Sequence, residues 1–166
     1  MSGFWKSLFE KKPNVSCIAK FYDELGGERE MAEDVEAFLD ATLNEGLLYN
    51  WDWREGPEEA VQGVNDLLKN RGLEPLTEEA TQQILSAATD KEQLPKALQI
   101  ADGFLQAQGH RLLAIDTRSD QYCAGLVTGA FYHRWVNVSV AKQILTQDHY
   151  RGGGPAPKAT APRDVE

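Results

Sequence analysis

The stretch "RLLAIDTRSDQYCAGLVTG", Arg111 to Gly129, decides the fold class. "RLLAIDT" and "QYCAGLVTG" are short apolar runs, and the polar "RSD" between them is turn-forming. Two such runs around a polar break read as a β-hairpin. Downstream, "FYHRWVNVSV" predicts a third strand, or a strand running into a short helix through "AKQILTQ".

Upstream of His110 the apolar spacing is helical rather than continuous. Phe4, Trp5, Leu8 and Phe9 share one face of a short segment ending at Lys12, which predicts a helix docked on the core. Ile18, Tyr22 and Leu25 continue a stripe from Val15 that Gly26-Gly27 ends. A helix over about Arg29 to Asn44 turns Met31, Val35, Phe38, Leu39 and Leu43 inward, with Asp34 among the outward acids, and Gly46 stops it. Gly56-Pro57 opens the next, proline in its first turn, with Ala60, Val61, Val64, Leu67 and Leu68 as its stripe and Gly72 as its end. Thr77 caps "EEATQQILSAA". Asp90 and Gln93 form a capping box before "LPKALQIADGFLQAQ".

A helix-rich front and a strand-rich back specify an α+β domain over 1–150, with helices on one face of a small, mainly antiparallel sheet. The remaining "RGGGPAPKATAPRDVE" is Gly, Pro and Ala with almost nothing to bury, so 151–166 is expected to be a disordered tail.

One strand signal lies among the helices. "LLYNWDWREG", Leu47 to Gly56, alternates, so that Leu47, Tyr49, Trp51 and Trp53 face one way and Leu48, Asn50, Asp52 and Arg54 the other. The aromatic side suits a core face; left exposed, the tryptophans with Asp52 and Arg54 would be a binding surface, since Trp and Arg concentrate at interface hot spots.

Composition excludes several roles. The formal charge of −9 repels nucleic-acid phosphates and suits a basic protein partner. No apolar run reaches membrane-spanning length and no secretory signal opens the chain, so a cytoplasmic protein without stable membrane insertion is expected. Cys17 and Cys123, far apart in apolar surroundings, read as buried thiols rather than a disulfide or zinc ligands.

Catalytic motifs are thin. The strongest is Asp116 at the end of a hydrophobic strand with Asp120 in the following turn, since two carboxylates there can hold Mg²⁺. This segment resembles the first metal-binding strand of ribonuclease-H-like nucleases and the first motif of haloacid-dehalogenase phosphatases. The phosphatase pattern wants a second aspartate where this chain has Arg118, and both families draw further acidic or lysine motifs from a long downstream chain. His133, between Tyr132 and Arg134, could meet Cys123 from an adjacent strand as a nucleophilic pair, although the apolar run around Cys123 favours an inert thiol. His110, His133 and His149 have no metal-ligand spacing, and "GGG" at Gly152 to Gly154 lacks the frame of a phosphate loop. No metal or cofactor is expected.

"NWDWREG", "LLAIDT" followed by "SDQY", and the acidic helical front together resemble a family of small bacterial proteins known only as domains of unknown function. That resemblance implies no activity and no catalytic residue. In size and acidity the chain is also similar to bacterial toxin-immunity proteins. The expectation is a non-catalytic binding domain, with Trp51, Asp52, Trp53, Arg54, Asp116, Asp120 and His133 as candidate partner contacts. The alternatives are a metal-dependent hydrolase using Asp116 and Asp120, and a peripheral membrane accessory held by Phe4, Trp5 and Phe9.

Overall fold

A computed structural model describes residues 17–31, 33–86, 93–117, 119–141 and 144–147, with Pro162. The expected helix from Phe4 to Lys12, Asp90 of the expected capping box and, apart from Pro162, the tail from Arg151 lie outside them. The described elements run, in order, α1 (Cys17–Leu25), α2 (Val35–Asn44), β1 (Leu48–Asp52), α3 (Pro57–Asn70), α4 (Glu78–Ser86) and α5 (Gln93–Gln106), followed by β2 (His110–Asp116), β3 (Gln121–Thr128), α6 (Gly129–Trp135), β4 (Ser139–Ala141) and β5 (Ile144–Gln147). The fold is α+β. Its five strands form one antiparallel sheet in the order β1-β3-β2-β5-β4.

The hairpin of β2 and β3 is the middle of that sheet, and both of its faces are covered. Leu113, Ile115, Cys123 and Val127 join a core with Ile18, Phe21 and Leu25 of α1, Phe38 of α2 and Trp135 of α6. Leu112, Ala124 and Leu126 join a second core with α3, α4 and α5. The register agrees, pairing Leu112 with Leu126 and Ile115 with Cys123, since cross-strand partners share a face. Helices on one face only, as expected from the sequence, is therefore corrected to helices on both. The reason is visible in "LLAI" and "CAGLV": strands with one wet face alternate, whereas strands buried on both sides read as continuous apolar runs.

Local chemistry sets the helix ends. Asp34 is the N-cap of α2, its carboxylate accepting from the amides of Glu36 at 3.0 Å and Ala37 at 3.2 Å. This shortens the helix expected from Arg29, because a side chain that satisfies first-turn amides marks the boundary. Gly46 then takes φ +72°, the left-handed turn predicted for it. At α3, Pro57 occupies the first turn and Glu59 Oε2 accepts from the Gly56 amide at 3.0 Å. Thr77 Oγ1 caps α4 by accepting from the Ala80 amide at 3.1 Å.

A second correction falls after β3. The segment "GAFYHRW" is helix α6, not a third strand, and "AKQILTQ" carries strand residues rather than a helix. Thr128 Oγ1 accepts from the Phe131 amide at 3.1 Å, starting α6. Its spacing then buries Tyr132 and Trp135 together, with Trp135 edge-on to Phe21 at 5.0 Å between centroids. Val136 caps the end of the helix in extended conformation, and Asn137 beyond it turns the chain at φ +59°, which Asn tolerates better than most residues. The chain leaves as β4 and returns as β5, anchored where buried Thr146 accepts from the Val138 amide at 2.8 Å and donates to the Trp135 carbonyl.

Candidate functional site

The sheet topology gathers most of the candidate residues at one end. Asp52, the last residue of β1, lies opposite Gln121, the first of β3, and beside them are Asp116 at the end of β2 and Ser119 and Asp120 in the turn that follows it. Asn50 reinforces the corner, donating to Gln121 Oε1 at 2.8 Å.

The two tryptophans part company there. Trp51 is fully buried in the second core, with its indole N–H donating to the Glu59 carbonyl at 2.9 Å. It has no surface to offer a partner, so it leaves the set of candidate contacts. Trp53 is 58% exposed, the one large hydrophobic side chain so exposed among the described residues. The alternation fails at Asp52, which closes a turn: the Glu55 amide donates to its carbonyl at 3.0 Å and the Arg54 amide to its side chain at 2.9 Å. An aspartate holding the amide two residues on is an Asx-turn, so the chain stops being a strand before it reaches Trp53. Leu48 also departs from the expected polar side, since it packs into the first core.

Arg54 folds back on the same carboxylate, with Nε at 3.0 Å from Oδ1 and Nη2 at 3.0 Å from Oδ2. This side-chain fork, helped by the Arg54 amide, holds the Asp52 carboxyl down to about 2. So exposed an ion pair adds little to stability, but it fixes the loop that presents Trp53.

Asp116 is half-buried at the end of β2, opposite Leu145 of β5, and Asp120 is exposed in the turn. Among the described residues no three His, Cys, Asp or Glu side chains group closely enough to hold a metal ion. His133 is exposed on α6, a helix rather than the strand expected to carry it. Its supposed partner Cys123 is fully buried, and burial pushes that thiol up to about 12. A thiol so placed is not a nucleophile at neutral pH, and the Cys123–His133 pair is not assembled.

Sequence reasoning passed over Asp102 and Arg111. Asp102, 3% exposed on α5, accepts from the Leu112 amide at 2.7 Å and from Arg111 Nε and Nη2 at 3.0–3.1 Å. The guanidinium of Arg111 also lies 3.8 Å above the Tyr132 ring of α6. One side chain thereby joins the helices of opposite faces around the sheet's other end. The available signal was an acid set inside the stripe Leu98, Ala101 and Leu105.

The family model for the domain of unknown function DUF6630 matches residues 7–144. The chain belongs to the DUF6630 family. The match takes in every described element from α1 to β4 and the first residue of β5. No curated protein and no solved structure matches the chain. The kinship expected from "NWDWREG" and "LLAIDT" thus holds as membership of a family of unknown function, and it assigns this DUF6630 chain no reaction.

Proposed function

We propose that this DUF6630 chain is a non-catalytic domain that docks a basic protein partner on the hairpin end of its sheet. The observation that carries this reading is Trp53, exposed on a turn that Asp52 and Arg54 hold rigid. An exposed aromatic on an ordered loop costs little entropy to immobilise, which is what interface anchors need. Asp116 and Asp120 lie at the same end, and the formal charge of −9 would speed encounter with a basic surface. The finer form of the proposal is an immunity or inhibitor protein bound to a basic toxin domain, supported by size and acidity; a toxin-like reading frame beside the gene would strengthen it.

The full chain and its Trp53→Ala variant, immobilised in parallel, test the proposal on lysate of the source cell. A specific partner should be retained by the first, lost by the second, weakened by Asp116→Asn with Asp120→Asn, and released by salt. Identical captures by both chains would overturn it. The rival hydrolase reading predicts saturable heat on titration with Mg²⁺ or Mn²⁺, abolished by the same aspartate substitutions. For the membrane alternative, Phe4, Trp5 and Phe9 fall outside the described residues, in which no helix is long and apolar enough to cross a membrane.

A further inference from the structure

The opposite end of the sheet holds a cleft of about 250 Å³, where β3 ends, β2 begins and the C-terminal ends of α1 and α3 meet. By the strand rise, it lies roughly 23 Å along β3 from the hairpin turn, so it is separate from the surface around Trp53. Leu73, Leu126 and Phe131 give it an apolar wall, and Arg71, His110 and Glu24 supply its polar chemistry.

The charges there are unevenly matched. Glu24 already accepts from Arg134 Nε at 2.8 Å, so the cleft's one carboxylate is neutralised from outside it. Arg71 has no such partner among the described residues: its Nη2 donates to the Leu25 carbonyl at 2.8 Å, and none of the ion pairs includes it. That bond uses one of the five N–H donors of a guanidinium. The His110 ring is held by its Nδ1, 3.1 Å from the Gln108 carbonyl. In a protein of formal charge −9, this is a local inversion: a cation with spare donors beside an apolar wall.

We infer that the cleft binds a small organic carboxylate with an apolar body, its anionic group on Arg71 and its body against Leu73, Leu126 and Phe131. A single guanidinium fork matches a carboxylate. A phosphate dianion would call for more cationic groups than one arginine beside Glu24. A cleft of about 250 Å³ has room for a small acid.

The test is ¹⁵N-resolved titration of the full chain with phenylacetate and hexanoate, against the neutral phenylacetamide and hexanamide. The acids should give saturable shifts at the amides of His110, Val127, Thr128 and Phe131, and bind at least about tenfold more tightly than the amides. Arg71→Gln should reduce the acids to the level of the amides. Equal affinity of acid and amide, or no saturable shift at those positions, would overturn the inference. Because Arg71 also braces Leu25, the acid–amide comparison on the unaltered chain decides the matter even where Arg71→Gln fails to fold.

Discussion

The indole of Trp51 occupies the space where a side chain on Gly63 would begin. A Cβ on Gly63 would stand 2.4 Å from Cζ2 and 2.6 Å from Nε1 of that ring. The same Nε1 donates to the Glu59 carbonyl, the acceptor that an α-helix offers to the amide of residue 63. Strand β1 is thus seated on helix α3 at a point where the helix has been left bare.

Gly63→Ala separates two opposing effects. Helix propensity alone favours alanine by about 1 kcal/mol. Overpacking a core that cannot move aside costs about 1–3 kcal/mol, and Trp51, at 0% exposure, has nowhere to go. The expected result is net destabilisation of up to about 2 kcal/mol, read as a lower urea midpoint with an unchanged slope. A raised midpoint would mean that the ring is not pinned there.

The Asp102–Arg111 pair predicts a larger effect with a particular pattern. Asp102→Ala leaves the guanidinium of Arg111 and the Leu112 amide without their shared acceptor, so a loss of about 3–5 kcal/mol is expected. Replacing both residues, as Asp102→Leu with Arg111→Met, should recover the part of that loss due to the stranded charge and leave only the cost of the unpaired Leu112 amide. A double-mutant cycle from urea unfolding gives the coupling. Independent, additive losses would show that the pair is not a unit.

Cys123 makes stability depend on alkaline pH. Burial raises the thiol from its ordinary value of 9.0 to about 12, so the folded chain holds its proton more tightly than the unfolded one. Its contribution is complete below about pH 9, where both forms are protonated, and disappears as pH rises through about 12. Between those values the unfolded state carries fewer protons, so unfolding becomes easier with each step upward. Chemical denaturation from pH 8 to 11 should show this decline, and Cys123→Ala should flatten it. In the native chain at pH 8, thiol reagents should modify Cys123 only at the rate of unfolding; fast labelling of the folded protein would contradict the burial.

Most of the helical layer was legible because its signals are local. The Thr77 cap, Pro57 in a first turn, the left-handed Gly46 and the stripe from Ala60 to Leu68 each depend on neighbours a few residues away. The hairpin was equally legible from its two apolar runs. What escapes depends on contacts between distant segments: the β2–β3 hairpin shares one core with α1 and α2 and the other with α3, α4 and α5, and no local pattern names those partners. Helix α6 reads as a strand in sequence because Phe131, Tyr132 and Trp135 are also good strand residues, and its one local helix signal is the Thr128 cap. In the candidate site, alternation places Asp52 and Arg54 on one side of a strand, but it runs on through Trp53 and gives no sign of the turn they close, which exposes that ring. Arg71 and His110 meet only in three dimensions.

The two tryptophans of "NWDWREG" should therefore behave as opposites. Trp51→Ala removes a ring that is fully buried and hydrogen-bonded, and is expected to cost about 3–5 kcal/mol. Trp53→Ala removes one that is mostly in solvent and should change stability by no more than about 0.5 kcal/mol. Iodide quenching distinguishes them in the folded chain: the accessible emission should fall when Trp53 becomes phenylalanine and persist when Trp51 does. The same comparison separates fold from surface, because a partner lost with Trp53→Ala at unchanged stability is lost from the surface alone. If Trp53→Ala instead unfolds the chain, the ring is packed, and Asp52 and Arg54 brace a core residue rather than a contact.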